Sequence, residues 1–242
     1  MTHHFKLYLI TGEAMRPADK LALRVDAALE GGADAVQFRE KSAPLRQCAA
    51  AFTAISRVCR ARNVPLFLNA WLAGKFQIGA PFDGIHCGID NLPADFRIAF
   101  KKCLADGKHG ALSIHDAWRR ALISSGVHVP SALVIGYSAH EISEARIALE
   151  CGADFVTMSP VYPTPSKQGI LEARGPEWIR KARTSLPGAR IIALGGISVE
   201  NAADVMRAGA SGIAVIRAIM AAPDPSEAAR RLNDCVNNPP AS

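Results

Sequence analysis

Apolar and polar positions along the chain follow two alternating rhythms. Short apolar runs, which read as strands buried on both faces, fall at Lys6–Thr11, Ala35–Arg39, Leu66–Asn69, Gly84–Cys87, Leu133–Ser138, Phe155–Ser159, Arg190–Gly195 and Gly212–Ile216. Between them apolar residues recur at helical spacing over Pro17–Glu30, Pro44–Arg62, Trp71–Gln77, Ile142–Cys151, Pro176–Thr184, Val199–Ala208 and Pro225–Val236. Pro17, Pro176 and Pro225 suit the first turns of their helices. A short theme repeats at the junctions: Gly32-Ala33-Asp34-Ala35-Val36, Gly152-Ala153-Asp154-Phe155-Val156 and Gly209-Ala210-Ser211-Gly212-Ile213, with a weaker echo at Pro81–His86. Each copy reads as a helix stopped by Gly, a tight turn, and a buried strand. Strands alternating with helices in this way predict a single (β/α)8 TIM barrel over residues 1–236, followed by a disordered tail, Asn237–Ser242.

Two segments break the rhythm. Leu92–Pro130 is too long for one helix and its turns, and is expected to hold two, around Ala94–Leu104 and Asp116–Ser124. Pro160–Gly175, rich in Pro, Gly, Ser and Thr, follows the sixth strand and reads as a lid or binding loop.

At 242 residues the chain has the size of one such barrel, and a hydrophobic share of 49% is enough to fill it. No run is long enough to span a bilayer and no signal peptide opens the chain, so a cytoplasmic location is expected. The formal charge of +6 suits an anionic ligand, but the basic residues are scattered without interleaved aromatics, so nucleic acid is not expected as a partner. The six cysteines form no C-x-x-C pair; Cys48, Cys59 and Cys151 read as small buried apolar residues, and a disulfide framework is not expected.

Polar side chains gather where strands end. Gln37, Arg39 and Lys41 follow the second strand and Asn69 the third; His86 lies on the fourth; Ser138 and His140 follow the fifth, and Gly195-Gly196 the seventh. In this fold that rim binds ligands. Arg39 and Lys41 alternate along an extended segment and suit a phosphate or diphosphate, one as a planar fork and the other as a point charge, unless they merely pair with neighbours such as Glu40. Gly195-Gly196 and the end of the eighth strand, Ile216-Arg217, suit a second phosphate held by backbone N–H groups. His140 fits either a loop-holding role or acid–base chemistry.

Several stretches together resemble the thiamine-phosphate synthase family, which also contains thiazole tautomerases: Leu7–Thr11, Gly31–Lys41 (GGADAVQFREK), Asp83–Gly88 (DGIHCG), Gly136–His140 (GYSAH), Gly152–Lys167 (GADFVTMSPVYPTPSK) and Ile192–Ile219. The resemblance covers nearly the whole chain apart from about Leu92–Pro130. It implies diphosphate contacts from Arg39, Lys41 and Lys167, and pyrimidine and diphosphate contacts from Gln37 and Asn69. It also implies a thiazole-phosphate cradle at Gly196 and Ile216-Arg217, with Ser138, Thr164 and Gly195 in the same binding set. Two positions depart from the synthases. Ala70 and Asn91 stand where the family holds Mg²⁺ with Asp, leaving Asp90 as a metal candidate. A third departure is Arg217, where Ser is usual. On these departures the expectation is a tautomerase-type enzyme that needs no metal and moves a proton on a thiazole phosphate through His140, with Lys167 beside it. The alternatives are a thiamine-phosphate synthase, using Mg²⁺ to join an aminopyrimidine methyl diphosphate to the thiazole phosphate, and a phosphate-binding barrel without chemistry. The expected partners are these small phosphates, with no nucleic acid and no membrane; a homo-oligomer is left open.

Overall fold

The computed structural model describes residues 4–12, 17–73, 75, 79–107, 112–164 and 171–238. Its strands are β1 (Leu7–Ile10), β2 (Ala35–Phe38), β3 (Leu66–Asn69), β4 (Gly84–Cys87), β5 (Val134–Ala139), β6 (Phe155–Met158), β7 (Ile191–Leu194) and β8 (Gly212–Val215). All are parallel and close in sequence order, β8 pairing back onto β1. The helices are α1 (Ala18–Glu30), α2 (Leu45–Ala61), α3 (Ala94–Asp106), α4 (Ile114–Ser124), α5 (Ile142–Glu150), α6 (Pro176–Ser185), α7 (Ala202–Arg207), α8 (Arg217–Met220) and α9 (Pro225–Asn237). The long β4–β5 connection thus holds α3 and α4, as its length requires.

Alternation along each strand creates two cores. Outward residues such as Leu7, Leu9, Val36, Phe38, Ile135, Val156 and Ile213 pack under the helices. Inward residues fill the barrel: Phe5, Tyr8, Phe67 and Phe155 all touch one another, with ring centroids 5.0 to 5.8 Å apart. Such tilted and edge-to-face contacts suit ring quadrupoles. Glycine makes the space for them, since a Cβ on Gly136 would lie 2.3 Å from the Phe155 ring.

The repeated junction theme has a specific task at the N-terminal end. Asp34 accepts from the N–H groups of Lys6 and Leu7. Asp83 accepts from Leu66 N–H, and Asp154 from Ile135 N–H. In the last copy the hydroxyl of Ser211 accepts from Ile191 N–H. In each case the clasp residue's own N–H returns a bond to the same partner's carbonyl. An odd-numbered strand is therefore clasped by the residue that opens the next even-numbered one.

Four local expectations are corrected. Trp71–Gln77 is not a helix over its described residues: Leu72, Ala73 and Lys75 bond three residues back, as in turns. So short a segment, with Gly74 inside it, lacks the length to recover the cost of nucleation. Val199–Ala208 shrinks to α7 because the Asn201 side chain bonds Ser198 N–H and the Gly196 carbonyl, delaying the helix start. Pro17 sits at the cap of α1 and not inside it, unlike Pro176 and Pro225. All six cysteines are unbridged thiols, five of them buried. Asn237 closes α9 and Asn238 caps it, so the tail begins later than expected; residues 239–242 lie outside the described residues. Among the described residues no helix is long and apolar enough to cross a membrane.

Candidate functional site

Above the aromatic plug the interior turns polar. Gln37, Asn69, His86, Ser138 and Thr157 each stand two positions along their strand from a plug-level residue, which places them on the inward face nearer the C-terminal ends. Gln37, His86 and Thr157 are buried, whereas Asn69 and Ser138 are half-buried at the border of the mouth.

These side chains form one connected hydrogen-bonded series. Asn69 Oδ1 accepts from the backbone N–H of Trp71 at 3.2 Å, and Asn69 Nδ2 donates to Gln37 Oε1 at 3.1 Å. Gln37 Nε2 donates to Tyr8 Oη at 3.1 Å, and Tyr8 Oη lies 3.2 Å from His86 Nδ1. His86 Nε2 lies 2.9 Å from Ser138 Oγ and 3.3 Å from Thr157 Oγ1, which in turn donates to Ser138 at 3.3 Å. Burial, followed by the positive charge of Arg39, pushes the His86 pKa down to about 3, so this imidazole is neutral at physiological pH. Burial likewise keeps the Tyr8 phenol protonated by raising its pKa.

Arg39 follows directly from β2, and its backbone is tied at both polar groups to the hydroxyl of Thr11 beyond β1. Its positive charge is the second cause, after burial, of the lowered His86 pKa. Lys41 is exposed two residues further on. Beside them Glu40 is buried and accepts from Ser42.

His140 is held at two points. Its N–H donates to Glu144 Oε2 at 2.8 Å, and the other oxygen of Glu144 accepts from Tyr137 Oη at 2.7 Å. Its Nδ1 lies 2.7 Å from the carbonyl oxygen of Ser159. A carbonyl only accepts, so Nδ1 is the donor in this contact. The ring thus ties the end of β5 to the end of β6.

The glycines after β7, expected to face a phosphate, have a packing reason of their own. A Cβ on Gly195 would lie 2.8 Å from Pro160, and one on Gly196 would lie 2.5 Å from the Pro163 carbonyl. Both also have positive φ. The stretch after β6 lies directly on this pair, with Tyr162 N–H bonded to the Gly195 carbonyl, and half-buried Thr164 follows. The two flanks of the long β6–α6 loop are pinned together, Arg174 N–H to Pro160 O and Gly175 N–H to Val161 O. Lys167 lies outside the described residues. After the neighbouring strand β8, Ile216 is half-buried at the cap of the short α8, and Arg217 is exposed in it.

The Mg²⁺ set implied for a synthase does not fit these residues. The side chain of Ala70 is a buried methyl, and the Asn69 amide oxygen beside it is engaged by Trp71 N–H. Asp90 is exposed on the turn Ile89–Asn91, where Arg97 binds its backbone carbonyl. Asn91 supplies an amide and no charge. Two carboxylates, the arrangement a hard cation bridging diphosphate would favour, are therefore missing from the positions where the family places them.

Gln37, Asn69, His86 and Ser138 meet in one network, and Arg39 acts on it. Tyr8 and Thr157 were missed as site residues because each stands in an apolar strand. The signal was available: both occupy inward positions, where a polar group needs a partner. Glu144 was missed because a carboxylate early in a helix usually faces solvent.

A family model described as thiamine monophosphate synthase matches residues 7–121 and 119–219, two stretches that meet within α4. A thiamine-phosphate synthase from Natronomonas pharaonis is 36% identical over 240 residues, covering 98% of this chain and 97% of its own. One from Geobacillus kaustophilus is 34% identical over 241 residues, covering 98% and 94%. A solved thiamine phosphate pyrophosphorylase from Pyrococcus furiosus superimposes with a TM-score of 0.72 at 28% identity, covering 98% of this chain and 97% of that one. These relatives overturn the expectation of a tautomerase. That expectation leaned on missing metal ligands, which are no evidence for proton transfer, and on His140, whose position alone names no reaction. The expectation of a barrel without chemistry falls with it. Together the two stretches reach from β1 into α8, over strands and mouth alike, and the chain belongs to the thiamine-phosphate synthase family of enzymes.

Proposed function

We propose that this chain is a thiamine-phosphate synthase, joining an aminopyrimidine methyl diphosphate to a thiazole phosphate with release of diphosphate. The observation that carries this reading is the polar network under the mouth, flanked by Arg39 and Lys41, in a chain whose relatives bear that name.

The chemistry asks three things of the protein. The methylene–oxygen bond breaks with its electrons leaving on diphosphate, so developing negative charge must be met. Arg39 and Lys41 meet it, with Lys167 as a third cation. The electron-poor methylene is stabilised by the aminopyrimidine ring, whose polar edge Gln37 and Asn69 hold in place. The thiazole nitrogen then forms the new carbon–nitrogen bond. It is delivered by its phosphate, held at Gly195-Gly196, Ile216-Arg217 and Thr164, which turns a bimolecular capture into a positioned one. Neutral His86 adds no positive charge where a cation forms. His140 acts by holding the end of β6 against β5. Mg²⁺ is the cofactor the family resemblance implies, and Asp90 remains the candidate carboxylate for it.

The test is incubation of the protein with both substrates, with and without Mg²⁺, while thiamine phosphate is followed. Product formation is expected; its absence under all conditions in a folded protein refutes the reading. In the double variant Ala70→Asp, Asn91→Asp, the response to Mg²⁺ is expected to steepen, because two carboxylates rebuild an oxygen-rich site. An unchanged Mg²⁺ titration in that variant removes these two positions from the account.

A further inference from the structure

The hydrogen-bonded series across the barrel has a direction. We infer that Tyr8 is a positioning residue which carries the polarity of the Trp71 backbone N–H across the barrel, so that Ser138 meets its ligand as a hydrogen-bond donor.

The direction follows from the inventory of protons. A backbone N–H can only donate, so the Trp71 contact obliges Asn69 to turn its oxygen that way and its Nδ2 toward Gln37. Gln37 must then accept through Oε1 and present Nε2 to Tyr8. The phenol has one proton; having accepted from Gln37, it donates that proton to His86 Nδ1. His86 is neutral, with a pKa pushed to about 3, so it carries a single ring proton. Because Nδ1 accepts, that proton is on Nε2, which faces Ser138. Thr157 donates to the same oxygen. Ser138 therefore accepts on its interior side, and its own proton turns toward the mouth that its half-buried hydroxyl borders.

Reversing the Tyr8–His86 link would leave the buried phenol proton without the acceptor that Nδ1 gives it, inside the barrel where water cannot repair the loss. Within this series Tyr8 is the link that also belongs to the aromatic plug. It is anchored by the rings of Phe5, Phe67 and Phe155 below. Its hydroxyl reaches the network from there. The consequence for recognition is that an acceptor atom is favoured at Ser138, and a donor there is refused.

This inference rests on the synthase reading only for the identity of the ligand, so its test has two arms. In the first, the full chain is labelled with ¹⁵N-histidine and the ring tautomers are read by long-range proton–nitrogen correlation without substrate. His86 is identified by the signal lost in His86→Gln. The expected state is the Nε2–H tautomer, unchanged between about pH 6 and 9. A wild-type His86 carrying its proton on Nδ1 overturns the inference.

In the second arm, Tyr8→Phe keeps the ring and removes the hydroxyl. The His86 signals are expected to become those of mixed tautomers, and kcat/KM to fall about tenfold, the low end of what supporting partners contribute at metal sites. Phe5→Leu disturbs the same plug without touching the series, and is expected to leave the tautomer as it was. An unaltered His86 tautomer in folded Tyr8→Phe overturns the inference. If that variant does not fold, the wild-type tautomer alone decides. If no substrate is turned over, the synthase reading fails, while the tautomer measurement still supports or overturns the inference.

Discussion

The two ends of the barrel interior are built from the same inward positions and do opposite things. At the N-terminal end four rings pack against one another, mostly edge to face, with the Tyr8 hydroxyl pointing above them. Two residues along each strand the apolar layer gives way to amides, an imidazole and hydroxyls that satisfy one another. The lower layer gains by excluding water and tolerates no gap. The upper layer gains nothing from burial itself and holds together by matching donors to acceptors. Stability and recognition are thus separated by about two residues of strand, roughly 7 Å.

The separation can be broken from either side. The largest effect is expected from Phe5→Ala, which empties the bottom of the plug. Unfolding free energy should drop by about 3–5 kcal/mol, while kcat of the folded enzyme stays within about twofold. Denaturant titration beside steady-state kinetics checks both, and a collapse of kcat at preserved fold would erase the distinction between the ends. Arg39→Ala tests the opposite end. On the proposed role for Arg39, its loss should cost about 10²–10³-fold in kcat/KM, on the scale of one preorganised transition-state contact, with little change in melting. A large loss of stability instead would move Arg39 into the structural half.

A smaller effect is expected at the clasps. Asp154→Ala leaves the Ile135 N–H without its acceptor and should destabilise the fold by about 1–3 kcal/mol, read by thermal and urea unfolding, with kinetics unaffected. The smallest effects are in pH, where a histidine from each end responds with opposite sign. His86 is held far below its ordinary value, at about 3, so the unfolded chain takes up its proton first. The stability it lends is complete above about pH 6.5 and is lost as pH falls toward 3. His115, at the start of α4, is raised mainly by its bond to Asp154, 3.1 Å away. Its contribution is complete below about pH 6.5 and is lost as pH rises through the raised value. Unfolding midpoints measured across pH should show a shallower acid loss in His86→Gln and a shallower alkaline loss in His115→Gln. Identical pH profiles in all three proteins would contradict both assignments.

The fold was legible because its signals are local and repeated. Short apolar runs, helical spacing between them and recurrent Gly-Ala-Asp junctions leave little choice but a closed parallel barrel. The strands at Leu66–Asn69 and Gly84–Cys87 were bounded correctly for that reason. The error at Trp71 arose where spacing alone cannot tell a run of turns from a helix. Within the site, residues that end strands were visible as polar interruptions. The links that connect them were not, because the bond between Tyr8 and His86 joins residues 78 apart in sequence, and that between Thr157 and His86 joins residues 71 apart. Reading chemistry from two absent carboxylates led to the wrong enzyme, because an absence at Ala70 and Asn91 says nothing about which reaction the remaining residues perform.

The clasps at Asp34, Asp83, Asp154 and Ser211 also bear on how this molecule can be divided. Each stitches β1 to β2, β3 to β4, β5 to β6 or β7 to β8, and none of these four crosses from an even-numbered strand to the next odd-numbered one. The ring therefore has seams. A cut in the connection after β2, β4 or β6 yields fragments that each keep their stitches whole, whereas a cut after an odd-numbered strand leaves one partner of a clasp on each piece. Fragments of the first kind bring two finished edges to reassembly, and those of the second must find each other before either edge is complete.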